Sequence, residues 1–64
     1  MPVYAGSELR LLRRSRGLSQ SQLASAMGVD QSRIAHIEAR AVVTWKTSDR
    51  YLAALREAEK DRAS

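Results

Sequence analysis

Hydrophobic residues recur along this chain at helical spacing, and glycines divide the pattern into short segments. Leu9 and Leu12 lie three positions apart, on one face of a helix, shortly before Gly17. A glycine can end a helix by adopting the left-handed conformation that other residues avoid. The pattern therefore predicts a first helix from about Ser7 to Arg16, with Ser7 as its N-cap.

The second segment has a sharper start. The run Ser19-Gln20-Ser21-Gln22 is typical of a capping box, in which the serine side chain and the fourth side chain bond reciprocally to backbone N–H groups. Leu23, Ala24 and Met27 then form an apolar stripe, and Gly28 ends the helix after about two turns. So short a helix is not stable alone in water, so we expect neighbouring helices to hold it.

A third helix is predicted directly afterwards, with Asp30 as its N-cap. Successive residues of a helix are rotated by about 100°, which places Ile34, Ile37 and Glu38 on the buried side. The outward face is then polar or small and carries no acid. Its members are Ser32, Ala35, His36, Ala39 and Arg40, with Gln31 at the N-terminal edge.

The β-branched run over residues 41–46 interrupts this helical pattern and predicts an extended or irregular segment. A last helix is expected to begin near Thr47 or Ser48, with Asp49 in its first turn and a buried stripe that starts at Tyr51. Residues 57–64 are strongly charged, and we expect them to fray. The predicted fold class is all-α, a small bundle of four or five helices.

Two short helices joined by a tight turn at Gly28, with the small Ala24 allowing a close and steep approach, form a helix-turn-helix. The run from Gly17 to Glu38, together with Leu9-Arg10-Leu11-Leu12-Arg13, resembles the XRE family of phage and bacterial regulators. The resemblance covers about residues 8–38 and implies a lambda-repressor-like DNA-binding fold. We interpret residues 1–64 as one DNA-binding domain, with the helix-turn-helix at about 19–38 and a dimerisation segment within 41–58.

The resemblance also assigns roles to individual residues. The third helix would enter the major groove, where a glutamine can pair with adenine through two hydrogen bonds. Other polar residues would bind the phosphates on either side of the groove. The residues expected to read bases are Gln31, Ser32, Arg33 and His36, and those expected to bind phosphate are Ser19, Gln20, Arg13, Arg40, Thr44 and Lys46.

Several of these residues have an alternative, purely structural interpretation. His36 and the polar start of the third helix could simply be solvated, and Arg13 could form an ion pair with Glu38 that serves only the fold. Because many relatives have a glycine after the Ile-Glu pair where this chain has Ala39-Arg40-Ala41, the third helix could be longer or its exit could differ.

The residues after the third helix also have two interpretations. They could fold back over a thin core, or they could form a two-fold contact with a second copy. We favour the contact, because one module on one half-site binds weakly and dimers bind two half-sites about 34–36 Å apart. The interface residues predicted on this basis are Val42, Val43, Trp45 and Tyr51.

The composition of the chain indicates what kind of partner it binds and which functions it lacks. The 64 residues carry 11 Lys and Arg against 7 Asp and Glu, a net charge of +4, which suits a polyanion. With one histidine and no cysteine, clustered nucleophiles, bases or metal ligands are not expected, so we predict no enzyme activity, no cofactor and no metal site.

Three scattered aromatic residues do not form a platform for unstacked RNA bases. No signal peptide or membrane span is apparent, which favours a cytoplasmic location in a bacterial cell.

These observations predict a regulator that binds double-stranded DNA sequence-specifically, as a homodimer on a pseudo-palindromic operator. A chain of this length offers little surface for recruiting polymerase, which favours a Cro-like repressor that acts by occlusion. The alternative is an antitoxin that binds its own promoter and also a toxin protein, because residues 47–55 resemble the last helix of such proteins.

Overall fold

A computed structural model describes residues 4–63 of the chain. In this range four helices follow one another: α1 (Gly6–Ser15), α2 (Gln20–Met27), α3 (Gln31–Ala39) and α4 (Trp45–Ala63). The predicted all-α fold class is confirmed, and the described residues form four helices and not five. One isolated antiparallel β-bridge joins Tyr4 to Val43.

Both ends of α2 form as predicted. The Ser19 hydroxyl accepts a hydrogen bond from the Gln22 backbone N–H at 3.0 Å. In return, the Ser19 backbone N–H donates to Gln22 Oε1 at 2.8 Å, which completes the capping box. At the other end Gly28 adopts a left-handed conformation with φ of 71°, and the next helix begins three residues later.

The start of α1 differs from the prediction. The N-cap is Ala5 and not Ser7, which lies inside the helix. Alanine has no side-chain acceptor, and instead Glu8 Oε1 accepts a hydrogen bond from the Ala5 N–H at 2.9 Å. The side chain at the third position of the helix, Glu8, therefore caps the backbone. The sequence prediction missed this because serine is a preferred N-cap residue. The helix ends as expected before Gly17, whose φ is 69°.

α3 ends at Ala39 although no glycine follows it, and the chain turns directly into an extended conformation at Arg40, with ψ of 142°. The start of α1 contacts the residue that follows α3, because the Gly6 N–H donates to the Arg40 carbonyl oxygen at 2.9 Å. A Cβ atom at Gly6 would lie only 2.5 Å from the carbonyl oxygens of both Ile37 and Glu38. Gly6 is therefore required by the close approach of two helix ends.

The segment before α4 is extended, as predicted. Val43 donates its backbone N–H to the Tyr4 carbonyl oxygen at 2.7 Å and buries its side chain completely. α4 then begins at Trp45, two or three residues earlier than predicted, with the Thr44 hydroxyl accepting from the Thr47 N–H at 3.4 Å. Asp49 consequently lies beyond the first turn.

The charged end of the chain, for which fraying is predicted, belongs to α4, which extends through Ala63. Arg16 at the end of α1 contacts Glu59 in this stretch, with 2.9 Å between Nη1 and Oε2. Ser64 lies outside the described residues.

One hydrophobic core lies between all four helices. It contains most residues of the predicted stripes, whereas Leu12, Met27 and Leu52 are partly buried and pack against its edge. Within residues 4–63, no helix has the length and apolar character needed to cross a membrane. The buried apolar residues are Leu9, Leu18, Leu23, Ala24, Ile34, Ile37, Val43, Tyr51, Ala54, Leu55 and Ala58.

Candidate nucleic-acid interface

α3 is anchored along one side and exposed along the other. Ile34, Ile37 and Glu38 are its buried residues, as the helical pattern predicted. The other six residues of α3 are exposed, and none of them is acidic. A helix of this length spans about 13 Å. The result is a short polar ridge held at three points by the core.

The exposed residues of α3 do not all point the same way. With about 100° of rotation per residue, Ser32 and His36 lie close together opposite the core. Gln31 lies on one flank, next to Glu38, whereas Arg33 lies on the other, about 160° away. The four predicted base-reading residues therefore share the exposed surface of α3, but they form a broad arc.

Glu38 is the centre of a buried polar network at the base of this ridge. Its Oε2 accepts hydrogen bonds from Arg13 Nε at 2.7 Å and from the Tyr51 hydroxyl at 2.6 Å. Its Oε1 accepts from Arg13 Nη2 at 3.1 Å and from Gln20 Nε2 at 3.2 Å. Four donor groups from three other helices thus converge on one carboxylate.

Arg13 belongs to this network and not to the phosphate-binding surface. Its side chain is only 9% exposed, and its third donor, Nη1, bonds to the Leu18 carbonyl oxygen at 2.7 Å. The prediction that Arg13 binds phosphate is therefore corrected. The alternative, an ion pair with Glu38 that serves the fold, is what the structure shows.

The network determines how its members ionise. Burial opposes the charge on Glu38, but the hydrogen bonds from Arg13, Tyr51 and Gln20 outweigh that cost and lower the pKa of Glu38. Burial, reinforced by the neighbouring Glu38 carboxylate, raises the pKa of the Tyr51 hydroxyl. The hydrogen bond to Glu38 raises the pKa of Arg13. The carboxylate and the guanidinium therefore stay charged, and the phenol neutral, across the physiological range.

A hydrogen bond connects this network to the exposed ridge. Gln31 Nε2 donates to Gln20 Oε1 at 3.4 Å, while the Nε2 of the same Gln20 donates to Glu38. The N-terminal ends of α2 and α3 are joined by this pair of amides. Sequence reasoning named both glutamines but missed their contact, because they are eleven positions apart and only the fold brings them together.

The predicted phosphate-binding residues other than Arg13 lie at or near the surface. Arg40 and Lys46 are exposed cations at the exit of α3 and the start of α4, and the described residues offer neither side chain an ion-pair partner. Thr44 is exposed, although its hydroxyl is engaged with Thr47 as the cap of α4. Ser19 is exposed at the start of α2, and Gln20 beside it is half-buried.

The four residues predicted to form a dimer interface separate into two pairs. Val42 is 58% exposed and Trp45 is 49% exposed, a high value for large apolar side chains. Val43 and Tyr51 are fully buried within their own chain, so their side chains cannot contact a partner. The prediction is therefore wrong for Val43 and Tyr51, because both side chains are buried in the core of their own chain.

Two further features, one at the surface and one buried, were not foreseen. Leu11 is 67% exposed on the outer side of α1, although its neighbour Leu12 packs partly against the core. Gly6 closes the exit of α3, a role that requires knowledge of which helix ends meet. Helical spacing could have indicated the exposure of Leu11, since it lies opposite Leu9, but no local signal identifies Gly6.

The sequence matches a known family of protein domains. The family model described as a helix-turn-helix domain matches residues 5–64, nearly the whole chain. Neither the curated proteins nor the solved structures include a match to this sequence.

Proposed function

This chain belongs to the helix-turn-helix domain family, as its XRE-like motif indicated, and from that premise we propose that it is a Cro-like transcriptional repressor. The family membership supports DNA binding. The finer proposal is that a homodimer recognises a pseudo-palindromic operator and blocks a promoter by occupying it. The observation that carries this proposal is the exposed ridge of α3, which three buried residues anchor to the core while its outward side carries no acid.

The size of the ridge suits the major groove, which is about 12 Å wide and admits one α-helix. We propose that Gln31 pairs with adenine, since its amide can donate to N7 and accept from N6. Ser32 and His36 would contact neighbouring bases from the middle of the ridge. Arg33, on the other flank, would donate to a guanine or to the adjoining phosphate.

Phosphate contacts would position the ridge in the groove. Arg40 and Lys46 are exposed cations at the end of α3 and the start of α4, and they would donate to backbone phosphates beside the groove. Ser19, Gln20 and Thr44 would add hydrogen bonds from uncharged groups, because helix N-termini favour anions. Each cation that neutralises a phosphate steepens the fall of affinity with salt, and this contribution carries no sequence information.

The homodimer would form through the exposed Val42 and Trp45. Both residues lie near the exit of α3, so a two-fold contact there would set two ridges on one face of the DNA. Half-sites one helical turn apart, about 34–36 Å, would then fit the pair. Such a dimer would work in the cytoplasm of a bacterium or of a phage-infected bacterial cell, and it would act by binding and not by catalysis.

The proposal is tested by separating base reading from phosphate binding. Gln31→Ala should weaken operator binding about 5- to 150-fold, the value of one bidentate contact, and leave binding to random duplex almost unchanged. Arg40→Ala should weaken both and reduce the salt slope by about one unit. Arg56→Ala, an exposed arginine of α4, is the matched control for lost charge. Equal losses of Gln31→Ala on operator and random DNA would contradict base reading.

A further inference from the structure

We infer that the outward face of α4 is a self-association surface, on which a second copy of the chain packs its own α4 antiparallel, with Ala53 of each copy at the two-fold axis. The inference goes beyond the proposed function. The proposed dimer forms through Val42 and Trp45, whereas this contact joins one such dimer to the next. Binding of one dimer to one operator therefore does not require it.

α4 packs against α1 and α2, and one side of it faces solvent. Ala53 lies at the middle of that side. With about 100° of rotation per residue, Arg50 and Glu57 lie within about 60° of Ala53 on one flank. Asp49 and Arg56 lie within about 60° of it on the other flank. All five residues are exposed, and we call them the α4 face.

A shallow groove runs along each flank of the α4 face. The groove beside α2 has Arg50 and Glu57 on its rim and small or apolar residues between them, namely Ala26, Met27, Ala53 and Ala54. The groove beside the end of α1 has Asp49 and Arg56 on its rim, and Leu52 contributes to its lining. Each flank therefore offers an acid, a base and apolar surface that a partner helix can cover.

The order of the charges selects the direction of the partner. On one flank the base precedes the acid, as Arg50 and Glu57, and on the other the acid precedes the base, as Asp49 and Arg56. A parallel partner would set like charges against each other. An antiparallel partner related by a two-fold axis at Ala53 would set every acid against a base, because the members of each pair lie three and four residues from Ala53 on opposite sides.

These four charges are available for such a contact. None of them forms an ion pair with another residue in the range 4–63. They sum to zero, which disfavours DNA as the occupant, because surfaces that bind DNA carry an excess of positive charge. The small side chain of Ala53 allows two helices to approach to about 8–10 Å. A charge order that complements itself on both flanks favours a second copy over an unrelated protein.

The contact should be weak and sensitive to salt. Exposed ion pairs contribute little individually, and mobile ions screen them. The contact through Val42 and Trp45 is apolar and should respond less to screening. Raising the salt concentration from about 0.05 M to about 0.5 M should therefore weaken the association of dimers about tenfold and leave the dimers themselves intact.

Sedimentation of the purified full chain without DNA tests the inference through charge reversal. Arg50→Glu leaves only acids on one flank, and Glu57→Arg leaves only bases, so each variant repels a second copy of itself. In each we expect the salt-dependent association to weaken at least about tenfold. Arg10→Glu makes the same change of charge at an exposed position of α1 and is the matched control, which should associate like the wild type.

Mixing the two variants is the decisive measurement. In a mixed pair the two acids of one copy face the two bases of the other, so the association should return to at least the wild-type strength. Misfolded variants would not regain association on mixing, which separates this contact from a loss of structure. No salt-dependent association of the wild type, unchanged association of both single variants, or no recovery in the mixture would overturn the inference.

Discussion

Replacing Glu38 with glutamine should destabilise the protein far more than the small change in shape suggests. Each carboxylate oxygen accepts two hydrogen bonds: Oε2 from Arg13 and Tyr51, and Oε1 from Arg13 and Gln20. A glutamine would turn one of these oxygens into an NH₂ group. In either orientation one N–H of Arg13 would then face a donor, whereas the Tyr51 hydroxyl and the Gln20 amide can turn to accept. The Arg13 guanidinium would also lose its counter-charge.

The expected magnitude follows from these contacts. One lost hydrogen bond to a charged group is worth roughly 1.5–3 kcal/mol, and breaking a buried ion pair typically costs about 3–5 kcal/mol. Both side chains are at most 9% exposed, so solvent screening does not reduce these values. A domain of 64 residues has a total stability of about 3–10 kcal/mol. Glu38→Gln should therefore remove a large part of the stability or all of it.

Urea unfolding followed by circular dichroism would measure this loss. Arg16→Ala is the control, because the Arg16–Glu59 pair is exposed at 36% and 49% and should contribute no more than about 1 kcal/mol. A loss below about 1 kcal/mol in Glu38→Gln would refute the reasoning, since the four hydrogen bonds could not then hold the carboxylate as described.

Four further predictions concern stability, its pH dependence and self-association. Gly6→Ala should lower stability by about 1–3 kcal/mol in thermal unfolding, because the added Cβ meets backbone oxygens at 2.5 Å; an unchanged midpoint would contradict this. Since burial raises the pKa of Tyr51 above its usual 10.0, its stabilisation should be complete below pH 10 and fall as the pH rises further, a decline that Tyr51→Phe should lack. Because the pKa of Glu38 is lowered, its effect on stability depends on pH in the opposite sense. The stabilisation by Glu38 should be complete above pH 4.5 and fall on acidification. Trp45→Ala should weaken self-association in sedimentation whereas Leu11→Ala, a similarly exposed control, should not; unchanged association of Trp45→Ala would exclude that surface.

The features that the sequence predicted well are those determined by neighbours along the chain. The capping box at Ser19 and the left-handed Gly28 depend on a few adjacent residues, and both formed as expected. The buried stripe of α3 follows from helical spacing alone, which correctly placed even the charged Glu38 inside. The family motif covers this same stretch.

The features that were missed depend on contacts between distant residues. Spacing indicated that Tyr51 belongs to an apolar stripe, but it could not say whether its own core or a second copy covers it. Arg13 was assigned a double role because a sequence does not show how completely Glu38 and Leu18 occupy its guanidinium. The start of α4 at Trp45 was missed because β-branched residues before it suggested a longer extended segment.

The central claim is that this chain binds a specific duplex as a dimer, and selection of bound duplexes from a random library tests it most directly. Purified protein at near-physiological salt should enrich an inverted repeat whose half-sites lie about one helical turn apart. An adenine should occur in each half-site, at the position whose preference Gln31→Ala abolishes. Failure to enrich any sequence above background would contradict the claim and would favour an antitoxin that needs its toxin partner to bind DNA.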